Sequence, residues 1–217
     1  PAYLAVTSPT LMHAEQAYLF RHALLRDAAY QLQLPADRAR LHALAFDIIE
    51  SLHGGRPIQA EEPLNSLEPD VIPREIDDAA ADLAEHAELA APDNDNPALL
   101  AARAFYLFRA ASHAHRNFLN AKAASLWLAL AGICSGVNRG SALCRAGTSM
   151  LRDNRPADAA HEINRSLKIF RQCGSPRELA VALSELAVAQ HLSSQMAMAE
   201  STYREALARL RDSGNAK

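Results

Sequence analysis

Glycine and aromatic side chains are scarce in this chain, with 8 glycines, 6 phenylalanines, 5 tyrosines and 1 tryptophan among 217 residues. A β-sandwich or barrel draws on Val, Ile, Thr and aromatics, so a chain rich in Ala and Leu points to closely packed helices instead. Cysteine is scarce too. Cys134, Cys144 and Cys173 include no CxxC pair, which excludes a disulfide scaffold and fits free thiols in a reducing, cytoplasmic setting. A surplus of positive charge is missing: 22 Lys and Arg stand against 25 Asp and Glu, for a net charge of -3. Phosphate neutralisation needs a basic surplus, so nucleic acid is not an expected partner. The longest apolar run, from Ala123 to Cys134, is shorter than the roughly 18 residues a membrane helix needs. No signal peptide is legible. The chain opens on Pro1 rather than Met, which reads as a piece of a longer protein.

Proline does the punctuating. Residues 22–33 carry Leu24, Leu25, Ala28, Ala29 and Leu32 at helical spacing, and residues 36–52 carry Leu41, Leu44, Ala45, Ile48, Ile49 and Leu52. Each set is expected to face a core. Gly54-Gly55 stops the second helix. Residues 54–73 hold four prolines and read as a long loop between two parts of the chain. Residues 74–91 resume a helix with Ile76, Ala79, Ala80, Leu83, Ala87 and Ala90 inward, and residues 91–97 form the next loop.

From residue 98 a repeat emerges. Ala123, Ala159 and Ala199 recur at spacings of 36 and then 40 residues. Four residues after each come Trp127, Ile163 and Tyr203. Eight after come Ala131, Leu167 and Leu207. Twelve before come the small residues Ala111, Gly147 and Ala187, and sixteen before come Leu107, Leu143 and Leu183. The pattern predicts helix pairs at about 98–134, 138–173 and 176–212. Within a pair, the small residue and the alanine let two backbones approach, and the bulky residue fills the space beside them. Gly147 costs about 1 kcal/mol against Ala inside a helix, and close approach is the reason to tolerate it.

This leucine, small, alanine, aromatic order resembles the tetratricopeptide repeat. The likeness is best in Leu143, Gly147, Ala159, Ile163 and Leu167 and in Leu183, Ala187, Ala199, Tyr203, Ala206 and Leu207; Leu107, Ala111, Ala123 and Trp127 match more loosely. The resemblance implies an all-α fold, a right-handed α-α superhelix of helix hairpins. It departs from the family in lacking most helix-ending prolines and in its 40-residue spacing.

A second resemblance lies in Tyr18 to Tyr30, followed by Arg38, Leu41-His42 and Ala45, and then by Ala84-Glu85-His86. This order resembles the segment closing the core of signal-transduction ATPases with numerous domains, the STAND class. There a Phe-x-His-Ala-Leu run ends a winged-helix unit before helical repeats begin. The resemblance implies that residues 1–53 are a winged-helix-like tail, with one short strand near Ala17 to Phe20, and that residues 74–217 are a repeat array. It also implies that His22 reaches back to nucleotide phosphates in the longer protein. Outside that context, His22 caps a helix or sits on a surface.

Catalytic motifs are missing. No G-x-x-x-x-G-K-[ST] run exists, so ATP or ADP would be held by other parts of the full-length protein and no cofactor is expected in this chain. His113 and His115 stand about 200° apart on a helix and cannot share a metal there. No H-E-x-x-H occurs, and Asp93-Asn94-Asp95-Asn96 lacks the glycine and glutamate of a calcium loop, so no metal is expected. The cysteines read as small buried residues, and Trp127 and Tyr203 as core fillers.

What remains is a surface. By the tetratricopeptide resemblance, the first helix of each pair lines a groove showing Phe108, Ser112, His115 and Arg116, then Cys144, Thr148, Leu151 and Arg152, then Ser184, Val188 and His191. Such a face suits a protein or peptide segment or a small inducer, and equally a neighbouring domain. The reading is of a non-enzymatic scaffold, the sensor arm of a larger STAND-type regulator. Its alternative is a free-standing adaptor that binds a peptide. An uncapped repeat end near Lys217 would favour self-association.

Overall fold

The computed structural model describes residues 3–6, 17–20, 23–56, 71–91 and 96–214. Among them the chain is helical apart from one small antiparallel ribbon. Strand β1 (Tyr3–Val6) pairs with β2 (Ala17–Phe20), setting Tyr3 opposite Phe20 and Val6 opposite Ala17. The strand near Ala17 is the expected one; its partner β1 had no signal in the sequence pattern.

Nine α-helices follow among the described residues: α1 (Ala23–Gln31), α2 (Pro35–Leu52), α3 (Ala80–Ala90), α4 (Pro97–Arg116), α5 (Asn120–Ile133), α6 (Gly136–Arg152), α7 (Pro156–Cys173), α8 (Pro176–Leu192) and α9 (Met196–Gly214). From α2 onward each packs on the next, and α6 also touches α8. Pro35, Pro97, Pro156 and Pro176 open their helices, where the missing N–H costs nothing. The Asn96 side chain caps α4, accepting from the N–H groups of Ala98 and Leu99 at 3.0 and 3.3 Å.

The helix expected from residue 74 begins instead as a single 3-10 turn, Glu75–Asp77. Asp77 accounts for the change. Its carboxylate accepts from the Arg74 backbone N–H at 3.2 Å and is pulled inward by two arginines of α4, which bends the chain before α3 can start.

The inward faces of α1 and α2 also differ from expectation. Leu24, Leu32, Leu41, Leu44, Ile48 and Leu52 are all exposed. Helix α2 keeps the expected Ile49 against the core but buries Phe46, which was not in the expected set, beside it. Phe46 meets Tyr106 edge-on at 5.8 Å, and the Tyr106 hydroxyl donates to Glu50 at 2.6 Å. That aromatic contact with its satisfied hydroxyl outcompetes the aliphatic stripe for α3 and α4.

In the repeat region the close approach is local and specific. A Cβ on Gly147 would lie 2.5 Å from Ile163 Cγ1 and 3.2 Å from the Ala159 carbonyl oxygen, so α6 and α7 touch where the repeat places its small residue. A Cβ on Gly140 would lie 2.6 Å from the Phe170 ring. The turns within the three hairpins each carry a residue in the left-handed region: Phe118 at φ 59°, Asn154 at φ 57° and Ser194 at φ 61°. Those positions keep the same 36- and 40-residue spacing. Trp127, Ile163 and Leu167 are buried, whereas Tyr203 is 39% exposed and Leu207 54% exposed, because no following hairpin covers α9 among the described residues. Tyr203 is therefore not a core filler. Of the thiols, Cys144 is buried, Cys134 half-buried and Cys173 exposed, and all are free; Cys173 departs from the expected burial because it closes α7 at the Gly174 turn.

Candidate binding groove

The expected groove residues do not form one open surface. Phe108 is buried, edge-on to Trp127 at 5.7 Å, and the Arg145 guanidinium lies over both rings, 5.3 Å from Phe108 and 4.7 Å from Trp127. This stacking removes Phe108 from any groove and dehydrates Arg145, whose pKa falls to about 10 through burial. Ser112 is buried as well, and its hydroxyl has no hydrogen-bond partner among the described residues.

Arg116 is committed elsewhere. It donates to Asp77 Oδ2 at 2.6 Å, while Arg109 donates to Asp77 Oδ1 at 2.7 Å through Nε and to the Ile72 carbonyl at 3.0 Å. Asp77 and Arg109 are 4% and 1% exposed. A pair this buried holds the 3-10 turn against α4 and is not free to meet a ligand.

A polar wall remains where α4, α6 and α8 meet. His115 of α4 places Nδ1 3.5 Å from the Ser149 hydroxyl of α6. On the residue before Ser149, the Thr148 hydroxyl lies 3.1 Å from Glu185 Oε2 of α8 and 3.2 Å from the Cys144 carbonyl. Arg152 extends from the end of α6, exposed, and acts electrostatically on both His115 and Glu185. Neither Arg152 nor Glu185 forms an ion pair among the described residues. Burial pushes the Glu185 carboxyl above the usual range, and Thr148 and Arg152 oppose it only partly. Burial, then the charges of Arg152 and Arg145, hold the His115 imidazole below its usual pKa. The Cys144 thiol, fully buried beside Glu185, is pushed up to about 12. Leu151, Ser184 and Val188 flank this wall half-buried, with the Ser184 hydroxyl turned back to the Val181 carbonyl at 2.7 Å. His191 is exposed at the end of α8.

Sequence reasoning missed Arg145, Ser149 and Glu185. A signal for two of them existed. Arg109, Arg145 and Glu185 each stand two residues before the small residue of their hairpin, so one charge recurs at a fixed repeat position. Ser149 had none, because its meeting with His115 is a contact between hairpins.

Farther upstream, His42 Nδ1 lies 2.8 Å from His86 Nδ1, and the Tyr30 hydroxyl lies 2.9 Å from His42 Nε2. Burial and the neighbouring His86 hold His42 below its usual pKa. Two histidines of the second sequence resemblance thus meet across α2 and α3; His22 lies outside the described residues. His113 faces Asp78 at 3.5 Å, away from His115, as the helical offset requires. Among the described residues no three His, Cys, Asp or Glu side chains gather in a way that could hold a metal ion, and no helix is long and apolar enough to cross a membrane.

The fold and its site define a class in coarse terms, a stack of helices packed in adjacent pairs with a polar wall across alternate helices. No family model matches the chain, and neither a curated protein nor a solved structure matches it.

Proposed function

We propose that this chain is a non-enzymatic scaffold of tetratricopeptide-like hairpins, the ligand- or partner-binding sensor arm of a larger STAND-type signalling ATPase in the cytoplasm. The observation that carries the binding role is the wall of His115, Ser149, Thr148, Arg152 and Glu185. Glu185 is half-buried with a raised pKa and no ion pair within 4 Å among the described residues, and perturbed groups of this kind gather at functional sites. The repeat reading is supported by the Gly147 approach to Ala159 and Ile163, and by the contact of α6 with α8 across the intervening helix. The sensor-arm reading is supported by the helical segment ahead of the hairpins and by its Tyr30, His42 and His86 contact. A ligand shifts such a switch only by binding its on and off states unequally.

The coding DNA upstream of Pro1 tests this assignment. A reading frame with G-x-x-x-x-G-K-[ST] ahead of the chain is the expected result. A start codon directly before Pro1 overturns the sensor-arm reading and leaves the free-standing adaptor. The purified chain is expected to release no phosphate from Mg-ATP, and measurable hydrolysis would overturn the non-enzymatic assignment.

A further inference from the structure

Among the described side chains from α1 to Ala45 none is buried, and Phe46 is the first that is. Leu24 and Leu32 are exposed, so apolar packing does little to hold α1 against the stack. A polar relay through three helices holds it instead. Tyr30 of α1 sits in a fork of α2. Its hydroxyl lies 2.9 Å from His42 Nε2, its ring meets the imidazole edge-on at 5.8 Å, and the Arg38 guanidinium stands 5.1 Å from the ring centroid. His42 continues the relay to α3, with its Nδ1 2.8 Å from His86 Nδ1. Tyr30, His42 and His86 are all half-buried.

Two Nδ1 atoms in hydrogen-bond contact need one proton between them, so that one donates and the other accepts with its lone pair. A pair of one imidazolium and one neutral ring still meets this need. A pair of two imidazolium rings does not: each Nδ1 then carries a hydrogen, no acceptor is left, and two positive charges face each other. The surroundings do not rescue the second charge. Burial first, then His86, disfavours a charged His42; Glu85 of α3 favours it, and Arg38 of α2 disfavours it again. Tyr30 supplies only a neutral hydroxyl from α1. Farther along α3, Glu88 is taken up by Arg103 of α4 at 2.6 Å.

We propose that His42 and His86 form an acid-released latch: at neutral pH the pair fastens α1 and the start of α2 to α3, and the second proton parts them. The latch belongs to this chain whether or not an ATPase core precedes it. The later turns of α2 stay in place, because Phe46 and Ile49 hold them by apolar contact that no proton alters. The opening is therefore local, a release of one end of the stack. A freed His42 has the ordinary pKa of about 6.5, so protons favour the open form as pH falls below that value.

Amide hydrogen exchange of the purified chain, read by mass spectrometry at pH about 7 and about 5, tests the latch, with each rate divided by the intrinsic rate at that pH. Protection of residues 23–45 is expected to fall roughly tenfold between the two, and to stay below that of α6 and α7, which marks a local opening. His86→Asn keeps an uncharged amide that can accept from a protonated His42, and is expected to remove most of that fall. His86→Ala leaves nothing for His42 to hold, and is expected to lower protection of the same segment already at pH about 7. No fall in the parent chain, an equal fall in His86→Asn, or unchanged protection in His86→Ala overturns the latch. Exchange of residues 23–45 at the protection of α6 and α7 also overturns it, since the segment then opens only with the whole molecule.

Discussion

Phe118 sits in the left-handed region at φ 59° and is 78% exposed, a conformation that a bulky residue adopts only under strain. The equivalent position in the next hairpin is Asn154, which tolerates that region. Phe118→Gly is expected to raise the unfolding free energy by about 1 kcal/mol, seen as a higher urea midpoint with unchanged slope. Glu185 is a second residue that costs stability. Its folded pKa is raised, so the native state binds its proton more tightly than the unfolded chain does. The cost is absent below the ordinary glutamate pKa, appears as pH rises through the folded value, and persists at neutrality. Glu185→Gln is therefore expected to raise Tm at pH about 7 and to leave it unchanged at pH about 3. Histidines 42 and 115 act in the opposite direction. Both have lowered folded pKa values, so the unfolded chain takes up their protons first as pH falls below about 6.5. Tm should drop as pH is lowered from about 7 to about 5, and His115→Asn should flatten part of that slope.

At the scale of the helix, two glycines in neighbouring elements make a controlled comparison. Gly132, near the end of α5, is exposed and has open space where a Cβ would go. Gly132→Ala is expected to stabilise by about 0.5–1 kcal/mol through helix propensity alone. Gly147 lies in α6 against Ile163, where a Cβ would meet a methylene at 2.5 Å. Gly147→Ala should therefore destabilise by about 1–3 kcal/mol despite the same propensity gain. Ile163→Ala removes the clashing Cγ1, so Gly147→Ala should cost less in an Ile163→Ala background than in the parent, as a double-mutant cycle by chemical denaturation would measure. Loss of the same size at both glycines would deny the close contact of α6 and α7.

Across the whole molecule, the same repeat position has different energetic weight according to what packs beyond it. Leu167 is 1% exposed in α7, and Leu207 at the equivalent place in α9 is 54% exposed. Leu167→Ala is expected to cost about 2–5 kcal/mol, and Leu207→Ala less than about 1 kcal/mol, in thermal or urea unfolding. Equal costs would mean that α9 is covered in solution.

The helix-pair boundaries and the small residue at Gly147 were legible because local chemistry enforces them. Prolines start helices, periodic apolar residues choose a face, and a glycine inside a helix signals a close neighbour. The face that α2 turns inward was not legible, since two apolar stripes compete and only the position of Tyr106 decides between them. The polar wall was half legible. The recurrence of Arg109, Arg145 and Glu185 is written in the spacing, but their fates are not. Asp77 claims the first, two aromatic rings cover the second, and the third is left facing Thr148. Sequence determined which residues recur and which elements form, because those depend on neighbours a few positions apart. Tertiary structure alone decided which charge stayed unpaired, because that depends on which hairpin lies beside it.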